Sequence, residues 1–158
     1  MLPEIRTVPD RPYVMVERRG RDENGFYAAG QAFDALYQYV VRNNRQEQMD
    51  LMFGIAPDAG MDVPDAEQRY QAGWFLKTGD AMPPDADVKQ GILPGGRIAI
   101  FQHVGPYDKM SQTWDKAWNE WLPASGEKSN GQAPYEVYVT MDMEHPETLL
   151  TELCVPIE

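Results

Sequence analysis

Alternation of apolar and polar positions over "RPYVMVERRG", rich in β-branched and aromatic side chains and closed by Gly20, predicts a strand over residues 12–18. The period then changes. Phe26, Ala29, Phe33, Leu36, Tyr37 and Val40 recur at helical spacing within "FYAAGQAFDALYQYVVRNN", and Asn43-Asn44 supply a stop. "DLMFGIAPD" (50–58) and "RYQAGWFLKT" (69–78) follow as two strands joined by a loop carrying Pro57, Gly60 and Pro64. The first half is therefore strand, helix, strand, strand.

A crossover over 79–95, within "GDAMPPDADVKQGILPGG", is expected to hold no regular element because of its prolines and glycines. The order then repeats. Strand "GRIAIFQHVG" (96–105) leads through a Gly105-Pro106-Tyr107 elbow into helix "DKMSQTWDKAWNEWL" (108–122), with Asp108 as its expected cap and Pro123 and Gly126 as its end. Strands "YEVYVT" (135–140) and "LLTELCVPI" (149–157) complete the half. Laying Gly20 on Gly105 gives an offset of 85 residues, and "LMFGIA" falls on "YEVYVT" at 84. Two elements sharing nearly one offset point to duplication. The expected fold is α+β: one domain of tandem strand-helix-strand-strand units, residues 1–78 and 96–158, related by a pseudo-twofold axis. Antiparallel sheets carry their helices on one side, and the other face is expected to form a central ligand cleft.

Composition narrows the function. A chain of 158 residues with 42% hydrophobic and 11% aromatic residues supports a core without disulfides or metals. No apolar run approaches the length of a membrane span, and the N-terminus lacks the basic-then-apolar pattern of a secretory signal. Cys154 is the single cysteine, so no internal disulfide can form, and a reducing cytoplasm is the expected location. Net charge is −11, so direct binding to DNA or RNA is not expected.

Strand alternation sends Leu153, Val155 and Ile157 of "TELCVPI" under the helices and Glu152, Cys154 and Pro156 to the other face. The same logic places Tyr135, Val137 and Val139 under the helices and Glu136 with Tyr138 beside Glu152. Two carboxylates and a tyrosine would then share one concavity; the plainer alternative puts both glutamates on a solvated sheet face. Ring donors within reach are Phe101, Tyr107, Tyr138, Trp74 and Trp114. Trp114, Trp118 and Trp121 form one helical stripe, of which Trp118 and Trp121 are expected in the core. His103 and His145 lack partners at metal spacing, Cys154 lacks a histidine for nucleophilic catalysis, and "LPGG" precedes a strand where a phosphate cradle needs a helix. Neither metal nor cofactor is expected.

In this order, "GRIAIFQHVGPYDKM", "WNEWLPASG", "APYEVYV" and "LLTELCVPI" make a set that resembles the GyrI-like small-molecule-binding domains, which also serve as effector-binding parts of AraC-type and MerR-type regulators. The resemblance implies a duplicated fold around an aromatic pocket, where one or two glutamates receive cationic, lipophilic compounds. By position these acids are Glu136 and Glu152. The sequence departs from the pattern at Gln71, where relatives often carry an acid. Three functions follow as expectations. The first is a stand-alone module that senses or sequesters hydrophobic cations, regulating through a protein partner. The second is a hydrolase of strained cyclopropane-type electrophiles, with Glu152 as general base and Tyr138 beside it. The third is an acidic interaction module, such as a gyrase inhibitor, acting through Asp62, Asp65, Glu67, Asp85 and Asp87. Monomer and homodimer both remain open.

Overall fold

Two glycines that end corresponding strands show how the chain is built. In the computed structural model, which describes residues 2–21 and 28–158, Gly20 and Gly105 take φ angles of 97° and 132°. A side chain would be strained at either position. The Gly20 amide donates to the Gln68 carbonyl at 2.9 Å, and the Gly105 amide donates to the Leu149 carbonyl at 2.8 Å. Each acceptor immediately precedes the last strand of its half. One turn is thus constructed twice.

The strands are β1 (Glu4–Val8), β2 (Arg11–Arg19), β3 (Met49–Ile55), β4 (Arg69–Leu76), β5 (Lys89–Leu93), β6 (Gly96–Val104), β7 (Tyr135–Tyr138) and β8 (Leu150–Pro156). Contacts divide the chain into two compact units, Asp10–Pro94 and Met1–Pro9 with Gly95–Glu158. In the first unit the antiparallel order is β3-β4-β2-β5, and in the second it is β7-β8-β6-β1. Each unit therefore borrows a fourth strand from the chain just before the other unit's first long strand.

The α+β class and both strand-helix-strand-strand orders are present, with two corrections. Segment 79–95 was expected to be irregular, yet β5 forms there as an edge strand on β2, with Gly91 opposite Tyr13. Gly91 is needed because a Cβ there would meet the Tyr13 hydroxyl oxygen at 2.6 Å. A glycine that reads as a breaker is here the seat of a neighbouring ring. β1 was likewise not foreseen.

Helix α1 (Ala29–Arg42) buries Ala32, Leu36, Tyr39 and Val40 against its sheet. Phe26, placed at the head of this helix by its spacing, lies outside the described residues. The second helix is not one cylinder. A 3₁₀ turn (Tyr107–Lys109) leads into α2 (Met110–Asp115), then a π-helical segment (Lys116–Trp121), then α3 (Leu122–Ser125). Ala117, Trp118, Trp121 and Leu122 all pack against the second unit's core, and the wider turn lies across these positions. Pro123 does not close the helix, which runs on through Trp121 and Leu122 to Ser125. Gly126, at φ 79°, ends it. Asp108 is exposed and makes no capping bond among the described residues, which corrects the expected cap.

The first unit's core joins Val14, Val16, Leu36, Tyr39, Val40, Tyr70, Ala72 and Met82. A polar anchor holds its β3–β4 loop. Asp58 is 5% exposed and accepts from Arg69 through the guanidinium (Oδ1 2.8 Å, Oδ2 3.0 Å) and the backbone amide (2.9 Å). These side-chain and then backbone hydrogen bonds lower the Asp58 pKa to about 2 from 3.8. Its contribution to stability is complete above 3.8 and is lost as pH falls through 2. Melting followed from pH 5 to about 2 should show an acid loss that is smaller in Asp58→Asn, and equal slopes would refute the assignment.

Candidate functional site

Strand register decides which side chains meet. Glu136 pairs with Leu153, Val137 with Glu152 and Tyr138 with Thr151. On the next strand Phe101 pairs with Leu153, Gln102 with Glu152 and His103 with Thr151. Opposed residues of antiparallel strands point to one face. One face therefore carries Glu136, Tyr138, Thr151, Leu153, Phe101 and His103, and the other carries Glu152, Val137, Cys154 and Gln102. The expected sharing of one concavity by Glu136, Tyr138 and Glu152 does not hold. The reason lies in β7, where Tyr135, Val137 and Tyr138 are all buried. A strand apolar on both sides has no alternation to set its phase.

Glu136 faces the second helix. Its Oε1 accepts from the Trp114 indole N–H at 2.9 Å, and its Oε2 accepts from the Tyr138 hydroxyl at 2.8 Å. Burial raises its pKa above 4.5, while the bonds from Trp114 and Tyr138 and the nearby His103 oppose the rise. Both donors are neutral, and among the described residues Glu136 makes no ion pair. Two of its roughly four lone-pair directions remain for another donor or a positive charge.

Rings border this carboxylate, which is half-buried. Tyr107 meets Tyr138 edge to face, with centroids 5.6 Å apart at 69°. The buried Tyr107 hydroxyl has no hydrogen-bond partner among the described residues, and neither has that of Thr151. Burial and then the Glu136 charge raise the Tyr107 pKa, so its hydroxyl stays protonated. His103 braces the elbow. Its Nε2 lies 3.0 Å from the Pro106 carbonyl and its Nδ1 2.9 Å from Thr113 Oγ1. A carbonyl only accepts, so Nε2 carries hydrogen, and in the neutral ring Nδ1 accepts from Thr113. His103 thus fixes the strand-to-helix turn that presents Tyr107, a role its isolated spacing does not reveal.

The other expected site residues fall elsewhere. Phe101 is 1% exposed and lies edge-on to Trp121 at 5.4 Å and 78°. Glu152 lies on the opposite sheet face, where its charge reaches Arg6, itself bonded to Glu4 at 2.8 Å. Trp74 belongs to the other unit, stacks on Tyr37 at 6.5 Å and donates to the Asp50 carbonyl at 2.8 Å. Gln71 donates to Glu17 at 3.0 Å across the β2–β4 pair, so the acid of that region sits on the neighbouring strand. Glu17 carries no sequence signal that would have singled it out. Asp85 is engaged by Arg42 and Asp87 by Arg18, while Asp62, Asp65 and Glu67 are exposed. Exposed Asp142, Glu144 and His145 bring ligand atoms within 4.8 Å of one another, and His145 Nδ1 already contacts Asp142 at 3.0 Å.

The family model of the GyrI-like small molecule binding domain matches residues 1–158, and the chain belongs to that family. A similar protein is the probable transcriptional regulator YgiV of Escherichia coli strain K12, 40% identical over 112 residues, which are 66% of this chain and 66% of that protein. The fold is also that of a hydrolase from Listeria innocua, with a TM-score of 0.72 at 14% identity over 99% of this chain and 92% of that one. SAV2435 bound to tetraphenylphosphonium has the same fold, with a TM-score of 0.61 at 14% identity over 100% and 94% of the two chains. Among the described residues no helix is long and apolar enough to cross a membrane.

Proposed function

We propose that this GyrI-like domain binds lipophilic, cationic small molecules at Glu136 and acts as a sensor or sequestering protein. The observation that carries this reading is the Glu136 carboxylate, half-buried, bonded among the described residues only to neutral donors, and bordered by Trp114, Tyr138 and Tyr107. Such a group is poorly hydrated and gains most from an arriving cation that is itself weakly hydrated. Ring faces add roughly 0.5–2 kcal/mol each to the attraction. The phosphonium bound by SAV2435 is of this class, and the regulator YgiV supports a sensing role. Titration calorimetry should show binding of tetraphenylphosphonium and much weaker binding of triphenylphosphine oxide, a neutral compound with similar rings. Equal affinity for both would remove the charge recognition.

A hydrolytic reading is favoured by the same raised pKa, which brings a carboxylate toward the range useful to a general base. Tyr138 is bonded to Glu136, so the base in this reading is Glu136 in place of Glu152. Incubation with a cyclopropane-bearing electrophile would then give a water adduct by mass spectrometry, above the buffer rate and absent with Glu136→Gln. No turnover above buffer leaves binding alone.

A further inference from the structure

The pairing of β6 fixes which way the backbone of its neighbour β1 points. The Ile157 amide donates to the Arg97 carbonyl at 3.0 Å on the β8 side of β6, and Pro156, which has no N–H, stands opposite Ile98. Arg97 and Ala99 therefore turn their backbone groups to β8, and Ile98 and Ile100 turn theirs to β1. Arg6 pairs with Ile98 and Glu4 with Ile100, so Glu4 and Arg6 bond β6 while Ile5 and Thr7 point N–H and C=O outward. β1 ends the strand order, and among the described residues no strand joins its outer side. β5 keeps a free outer side too, with the chain before it in place. Glu4, Ile5, Arg6 and Thr7 are all exposed, Ile5 by 45%. Outward N–H and C=O groups on an edge are a template for another strand.

We propose that β1 is a dimerisation edge, pairing antiparallel with β1 of a second copy of this chain about a two-fold axis at Ile5. The charges select this register. With Ile5 opposite the partner's Ile5, each Glu4 lies opposite the partner's Arg6. Centring on Glu4 or on Arg6 sets like charges face to face, and centring on Thr7 sets Glu4 opposite the partner's Asp10. Opposite charges directly across a strand pair stabilise it, and like charges destabilise it. Within one chain Arg6 already donates to Glu4 through Nε at 3.1 Å and Nη2 at 2.8 Å, so the pairing closes a ring of alternating charges. Ile5 is also a residue whose backbone points outward, so the two copies exchange N–H···O=C bonds there, and their Ile5 side chains meet on the other face. Thr7 then stands opposite the partner's Pro3, which has no N–H, and the ladder ends. A two-fold pairing uses up the edge, so the product is a closed dimer. β5 lacks this charge pattern, because a two-fold at Gly91 would set Gln90 opposite the partner's Ile92.

Sedimentation velocity over a range of protein concentrations reads the assembly, at roughly 0.15 M salt, where screening limits the repulsion between copies of net charge −11. The expected result is a concentration-dependent dimer with a dissociation constant in the micromolar range. Glu4→Arg and Arg6→Glu should each weaken it at least about tenfold, because each places like charges opposite one another. An equimolar mixture of these two variants should dimerise again, since one copy then supplies only positive charge at the two positions and the other only negative. Glu4→Arg/Arg6→Glu, which exchanges the charges, should dimerise as the wild type does. Ile5→Pro removes an outward N–H, leaves the bonds to β6 in place, and should give monomer. Thermal melts show that each variant folds, and Ile5→Pro with the exchange variant carries the test if a single reversal does not. A wild type that is monomeric at every concentration overturns the proposal. So does a dimer that the single reversals or Ile5→Pro leave intact, and so does a mixture or an exchange variant that stays monomeric. None of these outcomes depends on a ligand at Glu136.

Discussion

Glu136→Gln should lower the affinity for tetraphenylphosphonium by roughly 10- to 150-fold, the equivalent of about 1.5–3 kcal/mol for a hydrogen-bonded charged group. The substitution keeps the shape of the site. Gln Oε1 can accept from the Trp114 indole as Glu136 Oε1 does, and the Gln amide can donate to the Tyr138 oxygen once that hydroxyl turns round. Only the charge is removed. Titration calorimetry on both proteins at one salt concentration reads the effect, and a loss below about threefold would show that the rings carry the binding.

The same substitution has a pH signature with a fixed sign. Burial raises the Glu136 pKa above 4.5, so the folded protein holds this proton to higher pH than the unfolded chain. Its contribution to stability is full below 4.5 and falls as pH rises through the folded value. Glu136→Gln, which cannot lose a proton there, should gain in melting temperature over the wild type as pH increases. Cation binding requires the ionised form, so phosphonium affinity of the wild type should rise over the same interval while that of Glu136→Gln stays flat. A flat wild-type profile would mean that the carboxylate is already ionised without ligand.

How far the sequence carried the structure depends on what each element answers to. β2, α1, β3, β4, β6 and β8 announce themselves because a half-buried element repeats its apolar side chains at its own period. β1 and β5 do not, since an edge strand is defined by the neighbour it joins, and Gly91 reads as a break although it seats Tyr13. At the site, Glu136, Tyr138, Tyr107 and Trp114 were recognisable by residue type, and the structure brings these four together. Their separation from Glu152 was not legible, because phase on a strand buried on both faces is set by pairing. Trp74 was grouped with them by ring chemistry alone, and its recorded contacts are with Tyr37 and Asp50.

Phe53→Ala should cost about 3–5 kcal/mol, the range for a buried phenylalanine truncated in a core. Phe53 is 0% exposed, stacks on Phe75 at 4.3 Å and 22°, and receives Tyr13 edge-on at 5.5 Å and 77°. It also lies directly across from Gly73 on β4. A Cβ at Gly73 would stand 2.1 Å from the Phe53 ring, so Gly73→Ala forces that ring out of a packed cluster and should cost about 1–3 kcal/mol. The two substitutions cannot be additive. Once Phe53 is Ala, the obstacle to a methyl group at residue 73 is gone, the methyl fills part of the space left behind, and alanine loses less backbone entropy than glycine on entering the strand. Gly73→Ala should therefore be destabilising in the wild type and neutral or stabilising in the Phe53→Ala background. Urea denaturation of the four proteins in this cycle gives the coupling energy. A coupling near zero would mean that glycine at 73 answers to a demand of the backbone and not to the ring that rests upon it.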